Sequence, residues 1–156
     1  MQATINLELI MKSFIKGVAL SILFICTSIS SASAENMKKL GDLNVHYIAI
    51  GATFLTPEIA KSYGIERSRY NGLVNISVLD NTKKNTPAKT VAISGKARND
   101  IGQLKQLEFS EVKEGSAIYY LAQINYANEE TIHFDINIID GGHTENLKFS
   151  QKFYVD

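Results

Sequence analysis

His133 and Asp135 stand two residues apart in a run where Ile132, Phe134, Ile136 and Ile138 alternate with Thr131, His133, Asp135 and Asn137. Alternation of this kind marks a strand with one row of side chains on a core and the other in water. Both residues therefore fall on the same outer face. An imidazole and a carboxylate so placed supply two of the three or four ligands that a metal site needs. A third would have to come from His46, His143 or Glu145. The same pattern also describes the plain polar face of a sandwich strand, and the sequence itself implies no cofactor. Asp140-Gly141-Gly142-His143 has residues used in anion-binding and catalytic loops, and it equally has the composition of a tight hairpin turn. There is no Gly-rich phosphate loop and no G-x-S-x-G elbow. Several carboxylates are present, but their spacing selects no acid/base pair. Arg67, Arg69 and Tyr70 lie in the stretch ERSRYNG, and residues of these types anchor protein interfaces when exposed. They form the candidate contact surface, with a solvated connection as the alternative reading. Tyr119, Tyr120, Tyr126 and Tyr154 are read as structural, with packed rings and hydroxyls at the rim.

The elements that must position these residues are mostly strands. Residues 117–139 form two apolar runs joined by Asn128, Glu129 and Glu130, which are poor strand formers, so a hairpin is expected there. A hairpin alone is marginal in water and needs further strands. Residues 42–51 supply one, with apolar side chains on both faces. Residues 72–79, 89–98, 105–112 and 144–155 supply the others. Turns are expected at residues 80–88, where Pro87 forbids a central strand, and at residues 99–102, 113–116 and 140–142. Gly95 is expected to mark a bulge or a close backbone approach. Residues 35–41 read as a loose arm. The one helix signal is at residues 56–64: Thr56 to cap, Pro57 in the first turn, Glu58 at the positive end and Gly64 as a left-handed stop. Seven strands at intervals of roughly 10 to 15 residues, with one short helix in a crossover, predict an all-β, immunoglobulin-like antiparallel sandwich.

Residues 1–34 have the plan of a secretory signal peptide. Lys12 and Lys16 precede an uncharged 13-residue run at residues 17–29, and Ala32-Ser33-Ala34 offers an A-x-A cleavage site. A spanning helix needs about 20 apolar residues, so a cleaved signal is expected rather than a retained anchor. Met11 is a plausible true start. Cys26, the sole cysteine, falls inside this run, and Ile25 before it does not suit lipidation. The expected mature chain, residues 35–156, has 14 basic and 15 acidic side chains and no cysteine. That balance excludes the basic face that nucleic acid selects, and the lack of thiols rules out disulfides and thiolate metal sites.

Set in order, several stretches carry a resemblance. They are His46-Tyr47; Thr53-Phe54-Leu55-Thr56-Pro57 with Tyr63-Gly64-Ile65; Asn75-Ile76-Ser77-Val78; Gly102-Gln103-Leu104; Leu107-Glu108-Phe109; Glu114-Gly115 with Ile118-Tyr119-Tyr120; and FSQKFYVD at residues 149–156. Across nearly all of residues 40–156 the chain resembles the small exported bacterial proteins grouped as domain of unknown function 4426. The resemblance implies an immunoglobulin-like sandwich exported to the periplasm. It implies no activity and transfers no site residues. The expectation is a small exported binding or interaction module, whose partner is an envelope protein or a small ligand, with no membrane anchor once the signal is cleaved. A small-molecule or metal-binding envelope protein is the alternative, and an enzyme comes last.

Overall fold

The period-two runs become strands because their alternate residues are apolar and β-branched or aromatic, which suits a pleated surface with one buried face. The structure, a computed structural model, describes residues 36–155. The expected signal segment lies outside the described residues. Nine strands form two antiparallel sheets: β1 Asn36–Leu40, β2 Leu43–Gly51, β3 Asn71–Asp80, β4 Ala92–Asn99, β5 Leu104–Leu107, β6 Ser110–Glu114, β7 Ala117–Asn125, β8 Glu130–Asp140 and β9 His143–Phe153. One sheet has the order β1-β2-β3-β7-β6, and the other β5-β4-β8-β9. The fold is the expected all-β sandwich, with three departures in its wiring.

The first is that residues 36–40 are not a loose arm. They pair with β2 from Asn36↔Tyr47 to Leu40↔Leu43, turned at Gly41 with φ 54°. The second is that residues 105–112 are not one strand. β5 pairs with β4 in the smaller sheet and β6 pairs with β7 in the larger, so the chain changes sheets at Glu108 and Phe109. The third concerns residues 117–139. β7 and β8 belong to different sheets, so they are not a hairpin. At the break Glu129 adopts φ 58°, and the Glu130 N–H donates to the Ala127 carbonyl at 3.2 Å, which carries the chain across the sandwich. The inward rows of β7 and β8 then face each other across the core instead of lying side by side.

That core joins Val45, Val74, Ile76 and Val78 of the larger sheet to Ile132, Phe134, Ile136, Ile138 and Leu147 of the smaller. Phe134 stacks on Phe149 with centroids 4.6 Å apart, and Phe149 meets Tyr47 from the opposite sheet, also at 4.6 Å. Gly95 sits at a close backbone approach, without a bulge. The β4–β8 register runs unbroken through Gly95↔Ile136, and a Cβ there would lie 2.9 Å from Ile136 Cγ1.

The apolar outer side of β2 has its own cover. A 3-10 turn, Ala52–Phe54, leads into helix α1, Pro57–Ser62, capped by Thr56 Oγ1, which accepts from the Ile59 N–H at 3.3 Å. Gly64 stops it at φ 64°. Ala52, Ala60, Ile65 and Leu73 form a second buried cluster there, joined by Ile50, Leu55, Tyr63 and Leu121. So short a helix has little intrinsic stability. Packing and polar ties hold it. Gln123 Oε1 accepts from Glu66 N–H at 2.7 Å and from Asn71 Nδ2 at 2.8 Å, and Gln123 Nε2 donates to the Gly64 carbonyl at 3.3 Å.

Candidate functional site

Beneath α1 lies a groove of about 240 Å³ on the outer face of the five-stranded sheet. Leu73, Asn75 and Leu121 form its floor, and Leu55, Ile59 and Ile65 one side. Val112 and Tyr119 form the other side, with Tyr63 and Glu114 among its polar lining residues. The Tyr63 hydroxyl donates to Glu114 Oε1, and this bond to a carboxylate raises the tyrosine's pKa above its ordinary value. On the floor, Asn75 Oδ1 is buried and accepts no hydrogen bond. The strand register sets Asn75 between Ile48 of β2 and Leu121 of β7, two residues without a side-chain donor. Buried polar atoms are nearly always paired, so this orphan acceptor is an unusual feature. Sequence reasoning missed this site. Asn75 reads from the sequence as an ordinary outward strand residue.

The sequence-predicted residues fall elsewhere. His133 and Asp135 do share the outer face of the smaller sheet, at a depression of about 530 Å³ lined also by Lys96, Arg98, Lys148 and Ser150. Each is already engaged. Asp135 Oδ1 accepts from Asn146 Nδ2 at 2.7 Å, and Lys148 Nζ stands 3.6 Å from Oδ2. The Asn146 bond, with help from Lys148, holds Asp135 below the usual carboxylate range. His133 lies between Ser150 Oγ, 2.7 Å from Nδ1, and Asp100 Oδ1, 2.6 Å from Nε2. This row has the residue types of a hydrolytic triad. Its setting is different, since the side chains of His133 and Asp100 are 38% and 68% exposed. Water competes for both groups on an open sheet face, where such pairs are weak and a serine is not shielded. His46 belongs to the other sheet, and His143 begins β9 after the hairpin turn. Among the described residues no three His, Cys, Asp or Glu side chains gather to hold a metal ion.

The loop after α1 presents Arg67, Arg69 and Tyr70 unequally. Arg67 Nε donates to the Leu55 carbonyl at 2.9 Å and Nη2 to that of Thr53 at 3.2 Å, so its guanidinium ties the loop to the preceding turn. The Arg69 guanidinium lies 5.7 Å from the Tyr70 ring centroid. Tyr70 is 53% exposed, as are Phe54 at 74% and Tyr154 at 56%. Buried Tyr126 connects these three positions. Its N–H donates to the Tyr70 carbonyl at 2.9 Å, its hydroxyl donates to the Tyr154 carbonyl at 3.4 Å, and the same hydroxyl stands beside Gly51, against which Phe54 also packs. Tyr154 is thus not packed as a structural ring, because its strand has ended at Phe153.

The fold and its surface features define a two-sheet antiparallel sandwich with a helix-covered groove. The chain belongs to the DUF4426 family, a domain of unknown function, whose model matches residues 37–156. It is similar to the crystal structure of a DUF4426 family protein from Pseudomonas aeruginosa PAO1, with 31% identity over 80% of this chain and 98% of that one, at a TM-score of 0.69. It is also similar in fold to a copper-bound variant of FetP from uropathogenic Escherichia coli strain F11, at 10% identity, TM-score 0.52, over 77% of this chain and 95% of that one. FetP as isolated after expression in the periplasm gives 9% identity and the same TM-score, over 78% and 94%. No curated protein matches the sequence.

Proposed function

We propose that this protein is a non-catalytic binding module of the periplasm that docks an envelope protein on the aromatic end of its sandwich. The observation that carries this reading is the gathering of solvent-facing Phe54, Tyr70 and Tyr154 around Tyr126, with Arg69 over Tyr70 and Lys152 Nζ 5.2 Å from the Tyr154 ring centroid. Aromatic and arginine side chains at low conformational cost are what interface anchors are made of. Arg67 acts by holding the loop in place. Export is supported by the basic, apolar and A-x-A segments of residues 12–34, and no helix among the described residues is long and apolar enough to cross a membrane. The exposed Ser150–His133–Asp100 row favours no turnover.

The test is affinity capture from envelope extract with the protein purified from the periplasm. A partner enriched by the parent protein should be lost with Phe54→Ala, Tyr70→Ala and Tyr154→Ala combined, while His133→Gln keeps it. A partner retained by the triple variant, or turnover of an envelope ester or peptide abolished by Ser150→Ala, overturns the reading.

A further inference from the structure

Outward side chains of the four-stranded sheet stand in two rows. Arg98, His133 and Ser150 lie side by side across β4, β8 and β9, and Lys96, Asp135 and Lys148 form the neighbouring row. We infer that the depression of about 530 Å³ on this face binds a small organic anion, a carboxylate or a phosphate ester, with its oxyanion on Arg98 and Lys96.

Charge, donor balance and size narrow the ligand. Three cations and one carboxylate line the depression. That carboxylate, Asp135, is already met by Asn146 and Lys148, and His133 is held between Ser150 and Asp100. The Arg98 and Lys96 side chains make no hydrogen bond or ion pair with any described residue. The free groups are thus positively charged donors, and a ligand must bring acceptors and negative charge. Arg98 and Lys96 leave one strand on the same side, their Cα atoms roughly 7 Å apart, within reach of a single oxyanion. A guanidinium fork suits the paired oxygens of a carboxylate or phosphate. A volume of about 530 Å³ lies inside the roughly 300–1,000 Å³ of organic-ligand sites, so it suits an organic molecule rather than a bare ion. Leu104 pairs with Arg98 and is 64% exposed, which offers the carbon body of the ligand an apolar contact. Three cations suit one small anion and not a nucleic-acid backbone, which takes a long row of phosphate contacts.

The experiment is titration calorimetry on the protein purified from the periplasm, with benzoate, phenyl phosphate and the uncharged analogue benzamide. An ionic strength of about 0.1 M, where the Debye length is about 10 Å, screens diffuse attraction and leaves direct contact. One of the two anions should bind about tenfold tighter than benzamide or better, as expected for hydrogen bonds to charged groups. The tighter anion identifies the oxyanion. Arg98→Gln and Lys96→Gln should each remove most of that preference and leave the melting temperature unchanged, because neither side chain has a partner to lose. Lys84→Gln, at an exposed lysine in the turn after β3, should keep the preference. The proposal is overturned if neither anion binds or if benzamide matches them. It is also overturned if the preference survives in Arg98→Gln or Lys96→Gln, or falls equally in Lys84→Gln. Inorganic phosphate binding as tightly as phenyl phosphate would leave the carbon body no role and overturn the organic-ligand assignment. Phe54, Tyr70 and Tyr154 take no part in any of these outcomes, so the docking surface stands or falls separately.

Discussion

Single side chains link the two sheets as well as lining the sites. The Tyr120 ring comes from β7 and is buried, and its hydroxyl accepts from the Val91 N–H at 2.8 Å while donating to Glu111 Oε2 at 3.0 Å. Val91 immediately precedes β4 in the other sheet. Tyr120→Phe removes the hydroxyl that accepts from this buried N–H and otherwise fills the same space. The expected loss is about 1–3 kcal/mol of unfolding free energy, read from urea denaturation. A loss within ~0.5 kcal/mol, the range of an ordinary surface change, would mean that another acceptor takes over. Reading the tyrosines as structural fits Tyr120 and Tyr126 and fails at Tyr154. The reason is positional: the first two alternate inward within or beside β7, whereas Tyr154 follows the last paired residue of β9.

At the scale of elements, much of the site geometry was legible. The helix start, cap and stop were visible because each is a local residue preference. So was the β8–β9 turn, where Gly141 and Gly142 take φ 53° and 91°. That turn fixes the register as well. Residues equidistant from a two-residue turn must pair, so His133 meets Ser150 and Asp135 meets Lys148. The partners that occupy His133 and Asp135 could have been counted from the turn, except for Asp100, which arrives from the β4–β5 connection. Gly95 makes an element-scale prediction. Gly95→Ala forces a Cβ to within 2.9 Å of buried Ile136 Cγ1 and 3.3 Å of the Asp135 carbonyl, a contact that packed neighbours cannot relieve cheaply. The variant should lose about 1–3 kcal/mol in thermal or urea unfolding. Ser94→Ala, on the exposed side of the same strand, should stay within ~0.5 kcal/mol. Equal effects from the two would remove the packing argument.

Across the whole molecule, ion pairs connect the sheets at the end opposite α1. Lys89 Nζ lies 2.5 Å from Asp140 Oδ2 at the end of β8 and 3.8 Å from Asp80 Oδ2 at the end of β3. The Thr82 hydroxyl donates to Asp80 Oδ1 at 2.6 Å and, with Lys89 and Lys83, holds this carboxyl below its ordinary value of 3.8. The unfolded chain therefore takes up the proton first as pH falls. The stabilisation from Asp80 is complete above the ordinary carboxylate range and is lost as pH drops through it toward the folded-state value. Asp80→Asn should lower the urea midpoint near pH 6 and flatten its decline between about pH 5 and pH 3. A decline as steep as the parent's would place the acid sensitivity elsewhere, with Asp135 the next carboxyl to test.

The sequence by itself determined the helix and most of the strands, though not β1 or the break between β5 and β6, because alternation, capping and turn chemistry are decided within a few residues. It also contained the family, whose residues are spread through the chain. Tertiary structure alone decided which strand lies in which sheet. β7 and β8 have inward rows that would serve equally well side by side or face to face, and the choice depends on a turn at Glu129 and on distant partners β3 and β4. It also decided the groove. Leu55, Ile59 and Ile65 come to line it beside Leu73, Asn75 and Leu121 only when the segment of α1, held by Gln123 from another strand, rests on the sheet, since a groove is a property of what packs around a residue and not of the residue itself.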